Sequence, residues 1–172
     1  MMQPLAGIKV LDLSRIMAGP WATQMLADWG AEVIKIEKPD SGDDTRAWGP
    51  PFVKGKDGKN IAAYYLAVNR GKKIEWVDIS TSEGQGVIRE IARTSDIFIE
   101  NFKVGNLKKF GLDYDSIKVI KPDIIYCSIS GFGQDGSLSH LAGYDFAIQA
   151  LGGLMSITGE KGGDPMRVGV PF

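Results

Sequence analysis

The sequence predicts an α/β protein: a doubly wound, mainly parallel sheet with helices on both faces. Three observations point there. Short apolar runs rich in β-branched residues alternate with helix-periodic stretches along the 172 residues, the rhythm of βαβ units. The joints between the first runs are short, and such crossovers are right-handed with parallel strands in nearly all cases. Hydrophobic residues make up 44% of the chain and 22 glycines supply turns, enough for one substantial core with many loops.

Each element follows from its residues. Positions 7–13 (GIKVLDL) form a first buried strand. Ala18-Gly19-Pro20 then opens a helix, with the proline expected at the first helical position, where its missing N–H has no intrahelical partner. Trp21, Met25, Leu26 and Trp29 recur at helical spacing, and Gly30 is a natural stop. Positions 32–37 (EVIKIE) form a second strand. Positions 38–59, rich in Gly, Pro and Asp, predict a long surface excursion of the kind that is usually functional or mobile. A short helix is expected at 61–68, a strand at 73–79, and a helix at 82–94 capped by Thr81 or Ser82. A strand at 96–100, a short helix at 104–110 ended by Gly111, a helix at 113–120 and a strand at 123–129 continue the alternation. A loop at 131–141, a helix at 144–151, a Gly-rich turn region at 152–163 and a last strand at 166–172 complete it. Ligands of such sheets sit beyond the carboxyl ends of the strands, near the switch in strand order. The loops at 14–19, 38–50, 100–106 and 130–137 are therefore where a site is expected.

Composition narrows the function classes. A net charge of -1 offers no bulk attraction to nucleic acid or to an anionic membrane. No stretch approaches the roughly 18 apolar residues of a membrane span, and the N-terminus lacks the pattern of a secretory signal. A cytoplasmic location is expected, and the single Cys127, without an internal disulfide partner, fits it. Cys127 itself reads as core packing in an apolar strand. His140 is the only histidine, which leaves no multi-histidine metal site, and it reads as a solvated loop residue. Neither a G-x-G-x-x-G fingerprint nor a phosphate loop follows the first strand, and no G-x-S-x-G elbow is present. What remains is a set of cations near strand ends: Arg15, Lys38, Arg46, Arg70, Lys72, Lys73, Lys103, Lys108 and Lys109. Taken singly they read as solvated. Together with the helix N-terminus after Pro20 they point to a phosphorylated, nucleotide-like ligand.

Longer matches carry a resemblance. The stretches PLAGIKVLDLSRIMAGPWATQMLADWGAEVIKIEKPDSGDDTR, NRGKK, SDIFIENFKVGNLKKFGLDYDSIK, PDIIYCSISGFGQDG and AGYDFAIQALGG cover nearly the whole chain. Through them, and through the ENF-x-x-G, S-x-S-G-F-G-Q-x-G and GYD elements in particular, the sequence resembles the family III CoA-transferases and the related α-methylacyl-CoA racemases. The resemblance implies a Rossmann-like large domain, of which residues 1–172 would be an N-terminal, CoA-binding portion. It implies CoA or acyl-CoA as substrate, no covalently bound cofactor, a carboxylic acid as second substrate, and a homodimer for the full-length protein. Nucleic acid and membrane are not among the expected partners.

Site residues follow position by position. Ile16 and Met17 fall where the family backs onto the CoA chain, and Lys38 where a basic residue meets the adenine-nucleotide end. Val77 is CoA-proximal. Ser80 matches a further CoA-proximal position, where it replaces a lysine of the family and so brings no charge for a phosphate. Asn101 and Phe102 border nucleotide and pantetheine, Asn106 and Lys109 support the nucleotide, and Tyr144 lies near the thioester end. Tyr144 also separates activities, because the racemase branch resembles G-H-D here, with the histidine as acid/base. Gly143-Tyr144-Asp145 lacks that base, which favours transfer.

In the family mechanism an aspartate attacks the acyl-CoA thioester to give a mixed anhydride. The CoA thiolate then attacks the aspartyl carbonyl, and the incoming acid collects the CoA. The extended run 167–172 ends the sequence without a cap or polar tail, and continuation of the family pattern puts this aspartate just beyond Phe172. No catalytic residue is therefore expected within the chain. Asp164 precedes the strand in a Gly-rich turn, and Asp145 and Asp78 read as structural or capping residues. A non-catalytic CoA- or nucleotide-binding module, or one subunit of a split enzyme, is the alternative.

Overall fold

A computed structural model describes residues 3–56 and 58–170. They form two compact units, divided after Ile129. The first holds a five-stranded parallel sheet built from β1 (Lys9–Asp12), β2 (Glu32–Glu37), β5 (Lys73–Trp76), β6 (Ile97–Glu100) and β7 (Ile125–Ser128), in the order β5-β2-β1-β6-β7. Strand order reverses between β1 and β6, so the chain winds first to one side of β1 and then to the other. Val10 is in register with Val33 of β2 and with Ile97 of β6.

Alternation along the central strands sends side chains to two separate cores. Leu11, Ile36 and Phe98 pack with Ile88 and Ala92 of α3 (Ser82–Arg93) and Ile117 of α4 (Tyr114–Ile120). Val10, Val33 and Ile99 pack on the other face with Leu26 and Ala27 of α1 (Ala18–Asp28). This is the expected doubly wound arrangement. Phe98 stacks on Tyr126 at 4.7 Å, and the Tyr126 hydroxyl donates to the Leu112 carbonyl at 2.8 Å, tying β7 to the turn before α4.

Several elements differ from expectation. The excursion after β2 contains a 3-10 turn at Asp44–Ala47 and a strand β3 (Phe52–Lys54), which pairs antiparallel with β4 (Asn60–Ala62). The short helix expected at 61–68 accordingly begins later, as α2 (Ala63–Asn69), because its first residues complete this ribbon. Pro20 is the third residue of α1 rather than the first, still within the turn whose N–H groups lack carbonyl partners. The helix buries Gly19, Pro20, Thr23 and Gln24, while Trp21, Met25 and Trp29 face outward from the first unit. Thr81 caps α3, accepting from the Gly84 N–H at 3.0 Å. Cys127 is exposed on the edge strand β7, not packed in a core. In the second unit α5 (Asp145–Leu151) follows a loop in which His140 is exposed. The strand expected at 166–172 is absent from residues 166–170, which find no ladder partner, and Pro171 and Phe172 lie outside the described residues.

Beneath the carboxyl ends of β1 and β2 lies a group of buried charges. The Lys35 ammonium is fully buried and meets Asp43 at 3.1 Å and the Ser14 carbonyl at 2.8 Å. Lys72, expected to be solvated, is buried too; it donates to the Pro20 carbonyl at 2.9 Å, to Thr23 at 2.7 Å and to Asn69 at 3.0 Å, and meets Asp12 at 3.3 Å. Arg46 is likewise engaged, gripping Glu37 through two nitrogens at 2.6 and 3.0 Å. Among the other cations, Arg70 pairs with Asp28, and Lys73 with Glu32 at 2.6 Å.

Two tests follow. A Cβ at Gly84 would sit 2.0 Å from the Asp78 carbonyl oxygen, whereas one at Gly86, in the same helix, meets nothing within 4 Å. Gly84→Ala should destabilise the chain by about 1–3 kcal/mol through overpacking. Gly86→Ala should stabilise it by about 0.4–1 kcal/mol by restricting the unfolded chain. Urea unfolding of both variants reads the opposite signs. Burial, opposed by Asp12, lowers the Lys72 pKa from 10.5 to about 8. Between these values the unfolded chain holds a proton that the folded one has shed, so stability rises with pH there. The stability difference between wild type and Lys72→Met should therefore shift in favour of wild type from about pH 8 upward; a flat difference would contradict it.

Candidate functional site

A cleft of about 390 Å³ opens over the carboxyl ends of β1, β2 and β5 and beside the segment following β6. It lies within the first unit. Leu13 and Arg15 reach it from the end of β1, and Ile36, Glu37 and Lys38 from the end of β2. Val77 to Ser80 line it from the turn into α3, while Phe102, Asn106, Lys109 and Phe110 close the side beyond β6. Its floor is apolar because Leu13, Ile36 and Phe110 belong to or pack on the α3-side core. Its rim is polar because each strand there passes into a loop.

The chain shapes each wall differently. After β6, the Phe102 N–H donates to Glu100 at 2.7 Å, which turns the backbone sharply and sets the phenyl ring at the cleft. The Arg15 guanidinium lies over that ring, 5.7 Å from its centroid. A 3-10 turn at Lys108–Phe110 carries Lys109, whose ammonium lies 4.7 Å from the centre of the Phe110 ring. Before α3, the Asp78 carboxylate accepts from the Ser80 hydroxyl at 2.6 Å and its N–H at 2.9 Å. Those two bonds hold the Asp78 carboxyl below its usual range. Asp78 thus shapes a turn, as its structural reading predicts, and also faces the cleft.

The cations Arg15, Lys38 and Lys109 stand at the cleft against two carboxylates, Asp78 and Glu37. Glu37 is already matched. Its two oxygens accept from Arg46, from the Tyr65 hydroxyl at 2.6 Å and from the Asp43 N–H at 3.0 Å. Arg46 in turn lies 4.0 Å from the Tyr65 ring centre and 5.1 Å from that of Trp76. The balance at the rim is positive, and an anion with an attached apolar or aromatic body matches its chemistry.

Of the residues singled out in the sequence, Lys38, Val77, Phe102, Asn106 and Lys109 come together around this cleft. Ile16, Met17 and Asn101 do not line it. They lie in and beside the turn from β1 into α1, where the Asn101 side chain binds both backbone groups of Arg15: Oδ1 accepts from its N–H at 2.8 Å and Nδ2 donates to its carbonyl at 2.7 Å. In that turn Gly19 approaches Ser14 so closely that a Cβ would fall 2.1 Å from the serine Cβ. Tyr144 belongs to the second unit, where it is exposed and immediately precedes α5. Arg15, one of the nine strand-end cations, also lines the cleft, as do Ile79 and Phe110, which the sequence did not single out. Arg15 carried a signal, a cation directly after the first strand, but the two apolar residues carried none that separates lining from packing. Among the described residues no group of three or more His, Cys, Asp or Glu side chains could hold a metal ion, and no helix is long and apolar enough to cross a membrane.

Comparison with known proteins identifies the family. A succinate–glutarate CoA-transferase of Agrobacterium fabrum is 58% identical over 168 residues, covering 97% of this chain and 42% of that protein. The human succinyl-CoA:glutarate CoA-transferase is 52% identical over 168 residues, 98% of this chain and 37% of its own. The crystal structure of a CAIB/BAIF family protein from Brucella suis superposes with a TM-score of 0.95 at 52% identity, covering 99% of this chain and 44% of that one. Rv3272 of Mycobacterium tuberculosis gives a TM-score of 0.84 at 33% identity, over 98% of this chain and 46% of its own. The chain thus spans about two fifths of the length of the curated relatives it matches. The profile of CoA-transferase family III matches residues 5–172, and with these likenesses it shows that the chain belongs to that family.

Proposed function

We propose that this chain carries the CoA-binding face of an enzyme that moves CoA between an acyl-CoA and a carboxylic acid. The observation that carries the reading is the cleft. Lys38, Val77, Phe102, Asn106 and Lys109 arrive there from separate elements, around an apolar floor with a cationic rim. A phosphorylated adenosine with a long, weakly polar tail fits such a surface. Lys38 and Lys109 supply charge for the phosphates, Phe102 a flat apolar face, and Asn106 a directional polar group. Ile16, Met17 and Asn101 would form the turn along which the pantetheine chain runs. CoA is substrate here, and the residues described supply binding and orientation.

Relatives at 58% and 52% identity are named for succinate or succinyl-CoA and glutarate. By that likeness the acyl donor and acceptor are short dicarboxylates. The nucleophilic aspartate of the family mechanism is assigned to sequence continuing after Phe172, and residues 1–172 to the CoA-binding portion of the large domain. Transfer is preferred to racemisation because Tyr144 stands where the racemase branch carries its histidine base. A homodimer is expected of the full-length enzyme.

Calorimetric titration of the chain with CoA tests the binding. Lys38→Met and Lys109→Met should each weaken it about tenfold, the worth of one charge-assisted hydrogen bond. The loss should shrink as salt is raised. Unchanged affinity in both variants would remove the cleft as the CoA site. Residues 1–172 alone should give no glutaryl-CoA from succinyl-CoA and glutarate, and its formation would overturn the assignment of the nucleophile.

A further inference from the structure

The turn from β1 into α1 is gripped at three consecutive residues by three different side chains. The Ser14 carbonyl accepts from Lys35 at 2.8 Å, both backbone groups of Arg15 are bound by Asn101, and the Ile16 N–H donates to Asp43 Oδ2 at 3.1 Å. Ile16 has φ +68°, in the left-handed region. A β-branched side chain is a genuine outlier there, held in place only where its surroundings over-determine it. Asp40 is the other non-glycine residue with positive φ among those described, and such a short polar side chain tolerates that region.

We propose that Asp43 is a positioning residue for the CoA site. It holds the Ile16 backbone in its left-handed conformation, and so sets the path by which Arg15 reaches the cleft and Ile16 and Met17 lead into α1. Asp43 does not line the cleft, and it is buried. Its carboxylate is filled on both oxygens. Oδ1 accepts from the Thr45 N–H at 3.0 Å and hydroxyl at 2.7 Å, and Oδ2 from Lys35 at 3.1 Å and from Ile16. The Asp43 N–H is anchored in turn by Glu37 at 3.0 Å. A fully buried Lys–Asp pair is no more stabilising than a well-packed apolar pair of the same volume. Its use here is therefore one of arrangement. The Lys35 ammonium and the Ile16 amide converge on one oxygen, which lies where the strained residue must be held.

The inference rests on the CoA reading, and the test separates the two. Asp43→Asn replaces one oxygen by an NH2 group, so that whichever way the amide turns, donors face donors at Thr45 or at Lys35 and Ile16. CoA affinity is measured by calorimetry for Asp43→Asn in the wild-type background and again in Ile16→Gly, since glycine adopts the left-handed region without strain. Asp43→Asn should weaken binding about tenfold beside Ile16, the worth of a bond to a charged group. It should weaken binding less than about threefold beside glycine, where no strained backbone is left to restrain. Equal losses in both backgrounds, or none, would overturn the proposal, because a merely structural loss is blind to residue 16. If Asp43→Asn fails to fold, the double variant Asp43→Ala with Lys35→Met removes both charges and is read in the same two backgrounds. If the wild-type chain takes up no CoA, the CoA reading fails on its own. Amide hydrogen exchange without ligand then decides: exchange accelerated about tenfold or more at residues 14–17, with β2 and β6 still protected, upholds the role of Asp43. Unchanged exchange there overturns it.

Discussion

The buried ammonium of Lys35 constrains this end of the sheet. It sits fully buried on an inner strand, and an unpaired charge there would cost several kcal/mol, on the order of 3–5. Two partners are available to it, the Asp43 carboxylate and the Ser14 carbonyl. One belongs to the loop after β2, the other to the turn after β1. Satisfying a single charge therefore fixes two loops against each other. Asp43 passes the constraint to Thr45 and Ile16, and its backbone passes it to Glu37, Arg46 and Tyr65. A parallel cluster around Lys72 fastens α1 and α2 to Asp12 in the same manner. The loops after β1 and β2, on their side of the cleft, are thus set by charge satisfaction.

Much of the scaffold was legible in the sequence because its signals are local. The apolar runs at β1, β2 and β6 and the helix periodicity of α3 each point to one structure, and the alternation of types dictates parallel winding. Burial was less legible than the elements themselves. Trp21, Met25 and Trp29 carry helical spacing, yet the first unit buries Thr23 and Gln24 instead, because the polar cluster at Asp12 and Lys72 lies beneath that face of α1. Periodicity marks a helix but does not say which stripe is covered when a buried charge competes for it. Cys127 shows the converse, an apolar strand that turned out to be an edge.

The site was partly legible for a related reason. Lys38, Val77, Phe102, Asn106 and Lys109 are separated by tens of residues, and only the order of strands brings them to one cleft. Of nine cations near strand ends, the sequence could not tell an exposed rim residue such as Lys38 from Arg46 or Lys72, whose charges are consumed internally. The distinction rests on partners as remote as Asp12 from Lys72, and spacing carries no trace of them.

The fate of Glu37 has a wider consequence. In parallel sheets that bind dinucleotides, an acid near the end of the second strand receives the hydroxyls of a ribose. Here an acid stands at the end of β2, but Arg46, Tyr65 and the Asp43 amide occupy its oxygens, and Lys38 is the next residue outward. A sugar diol arriving at this corner would find no vacant acceptor, and would meet a cation. The same winding of chain that elsewhere offers a free carboxylate at this corner here offers a cation, by a change confined to the far side of a single carboxylate.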